Sequence, residues 1–264
     1  MSLNDGAFRK LGAPSNSLVC LPYDPPLCMD FSGSLVGRLP AHCVVNGDSI
    51  RSKYDIEVYG GRKYRDAITE NLQELDVAKI IVHPGYNYLD LVNDITILKL
   101  TSDINITNFV RPVSTWNVDN DENQIFGSLG TVIGFGLNED DEPSDTLQEA
   151  TIPVLDTPTC LAWDNETYGK HLTTQMYCAG GKDDVSACNG DSGGGMFFKI
   201  SETWYLRGIV SFSPIRPNET EDLCDSSKPT VFTDVTKYRK WIWRYTNTTK
   251  WINDLKPCKD VLNC

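Results

Sequence analysis

"ACNGDSGGGM", residues 187–196, places four glycines and one serine beside a cysteine. Glycine clusters are usually tight turns, because glycine alone enters φ > 0 without steric cost. The same stretch has a second reading, in which Ser192 is an activated nucleophile. The remainder of the chain decides between them. A serine hydroxyl needs a base, nearly always histidine, and the base needs an orienting carboxylate.

Only three histidines are present, His42, His83 and His171, and all precede Ser192. Gly190, Ser192 and Gly194 also satisfy G-x-S-x-G, the nucleophile turn of α/β-hydrolases. That fold orders its triad Ser, Asp, His, so chain order excludes it. His83, in "VHPGY", ends a strand pattern before Pro-Gly and reads as an exposed turn histidine. His171, in "YGKHLTT", reads as a surface residue. His42, in "PAHCVV", has small Ala41 beside it, and Cys43 could pin its backbone through a disulfide. Asp94 opens "NDITILKL", at the mouth of a buried strand. A carboxylate buried there is costly unless paired, and a histidine N–H suits it. Each residue has a plainer reading: His42 as a locally satisfied histidine, Asp94 as a strand-start turn residue.

The chain has 264 residues and a formal net charge of -12, which argues against nucleic-acid and anionic-membrane partners. No apolar run reaches the length of a membrane span, and "MSLNDGAFRK" contains no hydrophobic signal region. The nine cysteines form no C-x-x-C pair, which disfavours a zinc ribbon or a thioredoxin motif. With sequons at Asn105, Asn165, Asn218 and Asn247 they point to an oxidising, extracellular setting. Short segments rich in β-branched and aromatic residues, such as "VAKIIVHP", "LGTVIGFGL" and "WYLRGIVSF", predict an all-β fold. Val235, Tyr238, Ile242 and Tyr245 recur at helical spacing and predict one late helix. The acidic stretch "NEDDEPSD", residues 138–145, reads as a solvated connection.

"PAHCVV", "NDITILKL" and "CNGDSGGGM" resemble, in this order, the three signature blocks of the chymotrypsin/trypsin-like serine proteases. "VAKIIVHPGYN", "GTVIGFGL", "YCAGG", "LRGIVSF" and "KPTVFTDVTKYRKWI" match intermediate stretches, so the likeness covers the chain from about Leu3 to Thr246. The triple glycine after Ser192 and "FFKISETWYLRGIVSF" look more like insect extracellular cascade proteases of the gastrulation-defective or modular type. The resemblance implies two antiparallel six-stranded β-barrels with a C-terminal helix: a protease domain over residues 1–247 and a cysteine-containing tail over 248–264. It implies His42, Asp94 and Ser192 as the triad, and the Gly190 and Ser192 amides as the oxyanion hole. It also implies the disulfides Cys28–Cys43, Cys160–Cys178 and Cys188–Cys224, leaving Cys20, Cys258 and Cys264 unassigned. Ser114 stands where many relatives carry a cysteine that tethers a pro-domain. Ser186 falls at the pocket floor and Ser213 and Thr230 at its walls, giving a shallow slot for small or apolar side chains rather than for Arg or Lys. Ser211 and Phe212 line the substrate groove. Protein substrates, protease inhibitors and other cascade proteases are the implied partners, with no cofactor and no metal.

Two departures from the family pattern stand out. Relatives insert a newly cleaved N-terminus beside the aspartate preceding the nucleophile, here Asp191. The matching segment starts at Leu3, and with Met1 and Ser2 attached Asp191 lacks that partner. A buried unpaired carboxylate is unfavourable, so Asp191 is expected to turn away and leave the oxyanion hole malformed. The strand before His42 is also short and runs into Pro40, which cannot donate a ladder hydrogen bond, so His42 is expected to sit off position. These departures favour a rival reading, a non-catalytic homologue acting as a binding scaffold or cofactor.

Overall fold

The structure, a computed structural model, describes residues 18–19, 35–116, 124–201, 203–217 and 222–246. The first lobe contains β1 (Leu18–Val19), β2 (Leu35–Leu39), β3 (Val45–Asn46), β4 (Ser49–Ile50), β5 (Glu57–Gly60), β6 (Gln73–Val82) and β7 (Thr96–Leu100). Its main sheet has the order β1-β5-β6-β7-β2, and β3 and β4 form a separate hairpin. The first lobe thus shows five sheet strands among the described residues, and β1 joins β5 in parallel rather than antiparallel. β7 lies between β6 and β2, which is why "ITILKL" is apolar almost throughout: Ile95, Ile97 and Leu98 are fully buried.

The second lobe contains β8 (Ser114–Thr115), β9 (Leu129–Gly134), β10 (Gln148–Leu155), β11 (Met176–Gly180), β12 (Gly195–Ile200), β13 (Thr203–Phe212) and β14 (Pro229–Asp234). The order β12-β9-β10-β11-β14-β13, closed by β12 pairing with β13, makes a six-stranded antiparallel barrel with β8 added in parallel to β13. Val132, Ile152, Val154, Tyr177, Met196, Phe198 and Phe232 belong to its core.

Two short helices not expected from the sequence, α1 (Thr157–Trp163) and α2 (Asn165–His171), follow β10. Their caps explain them: Asp156 accepts from the Thr159 amide at 2.8 Å and Asp164 from the Thr167 amide at 2.9 Å. The late helix forms where predicted but begins as a 3-10 turn over Val235–Tyr238 before α3 (Arg239–Thr246). Trp241 and Ile242 of α3 join the core cluster of the first lobe.

Candidate active site

Asn93 bends the chain through φ +56, a left-handed conformation asparagine tolerates, and delivers Asp94 fully buried at the head of β7. Three donors converge on the Asp94 carboxylate. The His42 amide donates to Oδ1 at 2.9 Å, His42 Nδ1 to Oδ2 at 2.7 Å, and the Ser211 hydroxyl to Oδ2 at 2.5 Å. Thr233 Oγ1 donates to the Asp94 carbonyl at 3.0 Å, a support that the sequence reading missed. The ionised carboxylate only accepts, so Nδ1 carries the imidazole proton and Nε2 keeps its lone pair. Burial pulls the His42 pKa down, but the Asp94 charge, the Cys43 sulfur and the hydrogen bond that His42 donates to Asp94 together outweigh it, and the net value lies well above 6.5.

The short strand still delivers His42. β2 pairs with β7 through Leu39 and Thr96, and Pro40 (ψ 145) leads directly into a 3-10 turn over Ala41–Cys43. The missing Pro40 N–H falls at the strand end, where no ladder bond is lost. Proline therefore ends the strand without displacing the histidine from Asp94.

Ser192 sits on the glycine turn against this same strand end. Gly193 has φ +90, and a Cβ there would come within 3.1 Å of Leu39 and Pro40, so only glycine allows the approach. Cys43 Sγ lies 4.0 Å from the Ser192 carbonyl oxygen. Gly190 has φ +94, and a Cβ there would come 3.1 Å from the Gly136 Cα. The Gly190 and Ser192 amides donate no hydrogen bond among the described residues, so both are available to an external acceptor.

Asp191 does not turn away. It accepts from the Gly136 amide at 2.8 Å and from the Cys188 amide at 3.0 Å. A Cβ at Gly134 or Gly136 would overlap the carboxylate, so the "GFG" stretch exists to admit it, a signal that was open to reading in the sequence. The carboxylate borders a cavity of about 380 Å³ whose lining includes Asn138, Glu139, Gln148 and Ile152. Burial pushes its pKa up to about 6, against the two amide hydrogen bonds that lower it.

Ser186 is committed to backbone: its Oγ accepts from the Gly181 amide at 2.8 Å and donates to the Lys228 carbonyl at 2.7 Å. Ser213 and Thr230 meet, with Oγ to Oγ1 at 2.9 Å and both hydroxyls within 3.0 Å of the Ala187 carbonyl. Phe212 faces His171 edge-on at 5.8 Å, and His83 packs on Tyr238 and Trp241 at 5.3 and 5.0 Å. Both histidines are thus half-buried packing residues rather than exposed ones.

Cys160–Cys178 and Cys188–Cys224 are disulfides. Cys43 forms none among the described residues, and Cys28 lies outside them. Leu3, Cys20, Asn218, Asn247, Cys258, Cys264 and the 248–264 tail also lie outside the described residues, while Asn105 and Asn165 are exposed. No helix among the described residues is long and apolar enough to cross a membrane.

A family model described as Trypsin matches residues 33–242. The CLIP domain-containing serine protease B9 of Anopheles gambiae is 31% identical over 227 residues, covering 80% of this chain and 54% of its own length. The B15 protein of the same mosquito is 31% identical over 214 residues, covering 76% of this chain and 56% of its own length. The chain therefore spans little more than half the length of these relatives. A closed six-stranded barrel, the ordered blocks around His42, Asp94 and Ser192, and a family match over most of the chain lead to one assignment: this chain belongs to the trypsin family of serine proteases.

Proposed function

We propose that the protein is a secreted serine endopeptidase of a proteolytic cascade, cleaving after small or apolar side chains. The observation carrying this reading is the buried Asp94 carboxylate holding both the amide and the ring of His42. Ser192 Oγ attacks the scissile carbonyl while His42 Nε2 takes its proton. Asp94 stabilises the imidazolium, and the Gly190 and Ser192 amides stabilise the oxyanion. The imidazolium then protonates the leaving amine, and water repeats the sequence on the acyl-enzyme. Ser211 and Phe212 border the peptide-binding edge. The Ser213–Thr230 hydroxyl contact bars a long side chain, and the uncharged, backbone-bound Ser186 offers nothing to Arg or Lys. An ammonium released at Leu3 would pair with Asp191 through its cavity, and the partners are protein substrates, inhibitors and cascade proteases.

The test is labelling by a fluorophosphonate probe of protein processed to begin at Leu3, beside Ser192→Ala. Labelling of wild type alone supports the triad. An unlabelled wild type sinks the enzyme and leaves the scaffold reading. A peptide panel then checks specificity: preference for Arg or Lys would overturn the pocket assignment.

A further inference from the structure

Arg216, in the loop beyond β13, holds Asp141 with a bidentate fork: one guanidinium nitrogen reaches Oδ2 at 2.8 Å and the other Oδ1 at 2.6 Å. Its Nε donates to the Cys224 carbonyl at 2.8 Å, so the fork is fixed at its root. Asp141 is presented by a wound turn. The Asn138 side-chain oxygen accepts from the amides of Asp140 and Glu142, both at 3.0 Å, and Asp141 itself has φ +59. The acidic stretch that reads as a solvated connection is therefore anchored at its tip.

These contacts close a ring. Cys224 donates its amide to Asn189 Oδ1 at 2.8 Å, and the Asn189 carbonyl accepts from the Leu137 amide at 3.0 Å. Leu137 leads back through Asn138 to Asp141. The ring reaches the catalytic turn at two points. Asn189 directly precedes Gly190, and Gly136, next to Leu137, donates to Asp191. Gly136, Leu137 and Asn138 also wall the Asp191 cavity.

We infer that Asp141 and Arg216 are positioning residues that hold the 188–192 turn in its oxyanion-binding conformation by clamping the 136–144 loop to the 213–217 segment that follows β13. This rests on the enzyme reading for its catalytic consequence, but not for its structural one. A planar fork satisfied on three sides imposes geometry as well as attraction, which a lysine cannot reproduce. Both side chains keep about a third of their exposure, at 30% and 34%, so the pair is expected to add little to global stability.

The test compares wild type with D141A, R216A, the double variant and R216K, all processed to Leu3. Hydrogen exchange is read over residues 136–145 and 187–192, beside the fluorophosphonate acylation rate at saturating probe. Each single alanine variant should speed exchange in both segments about five- to tenfold, within the usual range of coupling between linked sites. The double variant should add nothing further, R216K should fall between, and melting temperature should hold. Acylation should slow in parallel, with probe affinity little changed. Loosening confined to 136–145, with 187–192 protected as in wild type, would overturn the inference. A wild type that never labels would defeat the enzyme reading while the exchange data still decide the clamp.

Discussion

His42 carries opposed influences, and under the proposed mechanism their balance sets the working pH. Burial is the largest single influence and disfavours the imidazolium, but the Asp94 carboxylate at 2.7 Å and the Cys43 sulfur together favour it more. The base must be neutral to accept the Ser192 proton, so activity is lost as pH falls through a His42 pKa above 6.5. Less than half of the plateau kcat/KM should remain at pH 6.5, and a rate profile with its acid limb below pH 6 would contradict this. Ser211→Ala removes a donor from Asp94 Oδ2. The carboxylate then pulls harder on the imidazole proton, and the acid limb should move to higher pH. Loss of a charge-assisted bond suggests a rate fall of about tenfold or more. The pocket yields a separate prediction. Thr230→Gly removes one hydroxyl of the bar and two heavy atoms besides. The ratio of kcat/KM for leucine over alanine substrates should rise by roughly tenfold or more, within the range pocket volume allows. An unchanged ratio on a peptide panel would show that Thr230 does not limit the pocket.

At the scale of elements, legibility followed how local each signal was. β7 and its leading Asp94 were readable because a nearly continuous apolar run follows a single charge. α1 and α2 escaped because each is seven residues long and rests on its aspartate cap rather than on an apolar stripe. β2 was readable as short, but pairing with β7 rather than its own length sets where His42 lands. The 188–192 turn was readable as a glycine turn, whereas the support of Asp191 by the Gly136 and Cys188 amides depends on tertiary approach. That support has a stability consequence. The folded-state pKa of Asp191, about 6, lies above the ordinary 3.8, so folding binds the proton. Its contribution is present at low pH and is lost as pH rises from about 4 through about 6, amounting to at most ~3 kcal/mol. In protein not processed at Leu3, Asp191→Asn should therefore raise the melting temperature at pH 7.5 and leave it little changed at pH 4. A parallel shift at both values would show that the carboxylate is not strained by its burial. Processing at Leu3 should erase the difference if the new ammonium reaches the cavity.

On the scale of the whole molecule, the second barrel braces Asp94. β13 supplies Ser211 and β14 supplies Thr233, so the register of these two strands decides whether both reach Asp94. A fully buried ion pair spans the same two strands. Arg207 Nε lies 3.2 Å from Asp234 Oδ1, off the line of a hydrogen bond, and its NH2 group donates to Oδ2 at 3.3 Å. The guanidinium also stands 4.9 Å from the centre of the Trp116 ring. Asp234 does further work, accepting from Thr236 N at 3.0 Å and Thr236 Oγ1 at 2.6 Å where the last turn begins. A buried pair adds little net stability over an apolar substitute, but removing one partner strands the other charge, at a cost of about 3–5 kcal/mol. Arg207→Met should accordingly destabilise by that order in urea unfolding. Asp234→Ala should cost more, since it also uncaps the turn leading to α3. The double change Arg207→Met with Asp234→Ala should cost less than the sum of the two single changes, because neither charge is then left stranded, while the cap remains broken. Strict additivity of the single variants would mean that the two charges do not feel each other, and the pair would then have no part in fixing the register beneath Asp94.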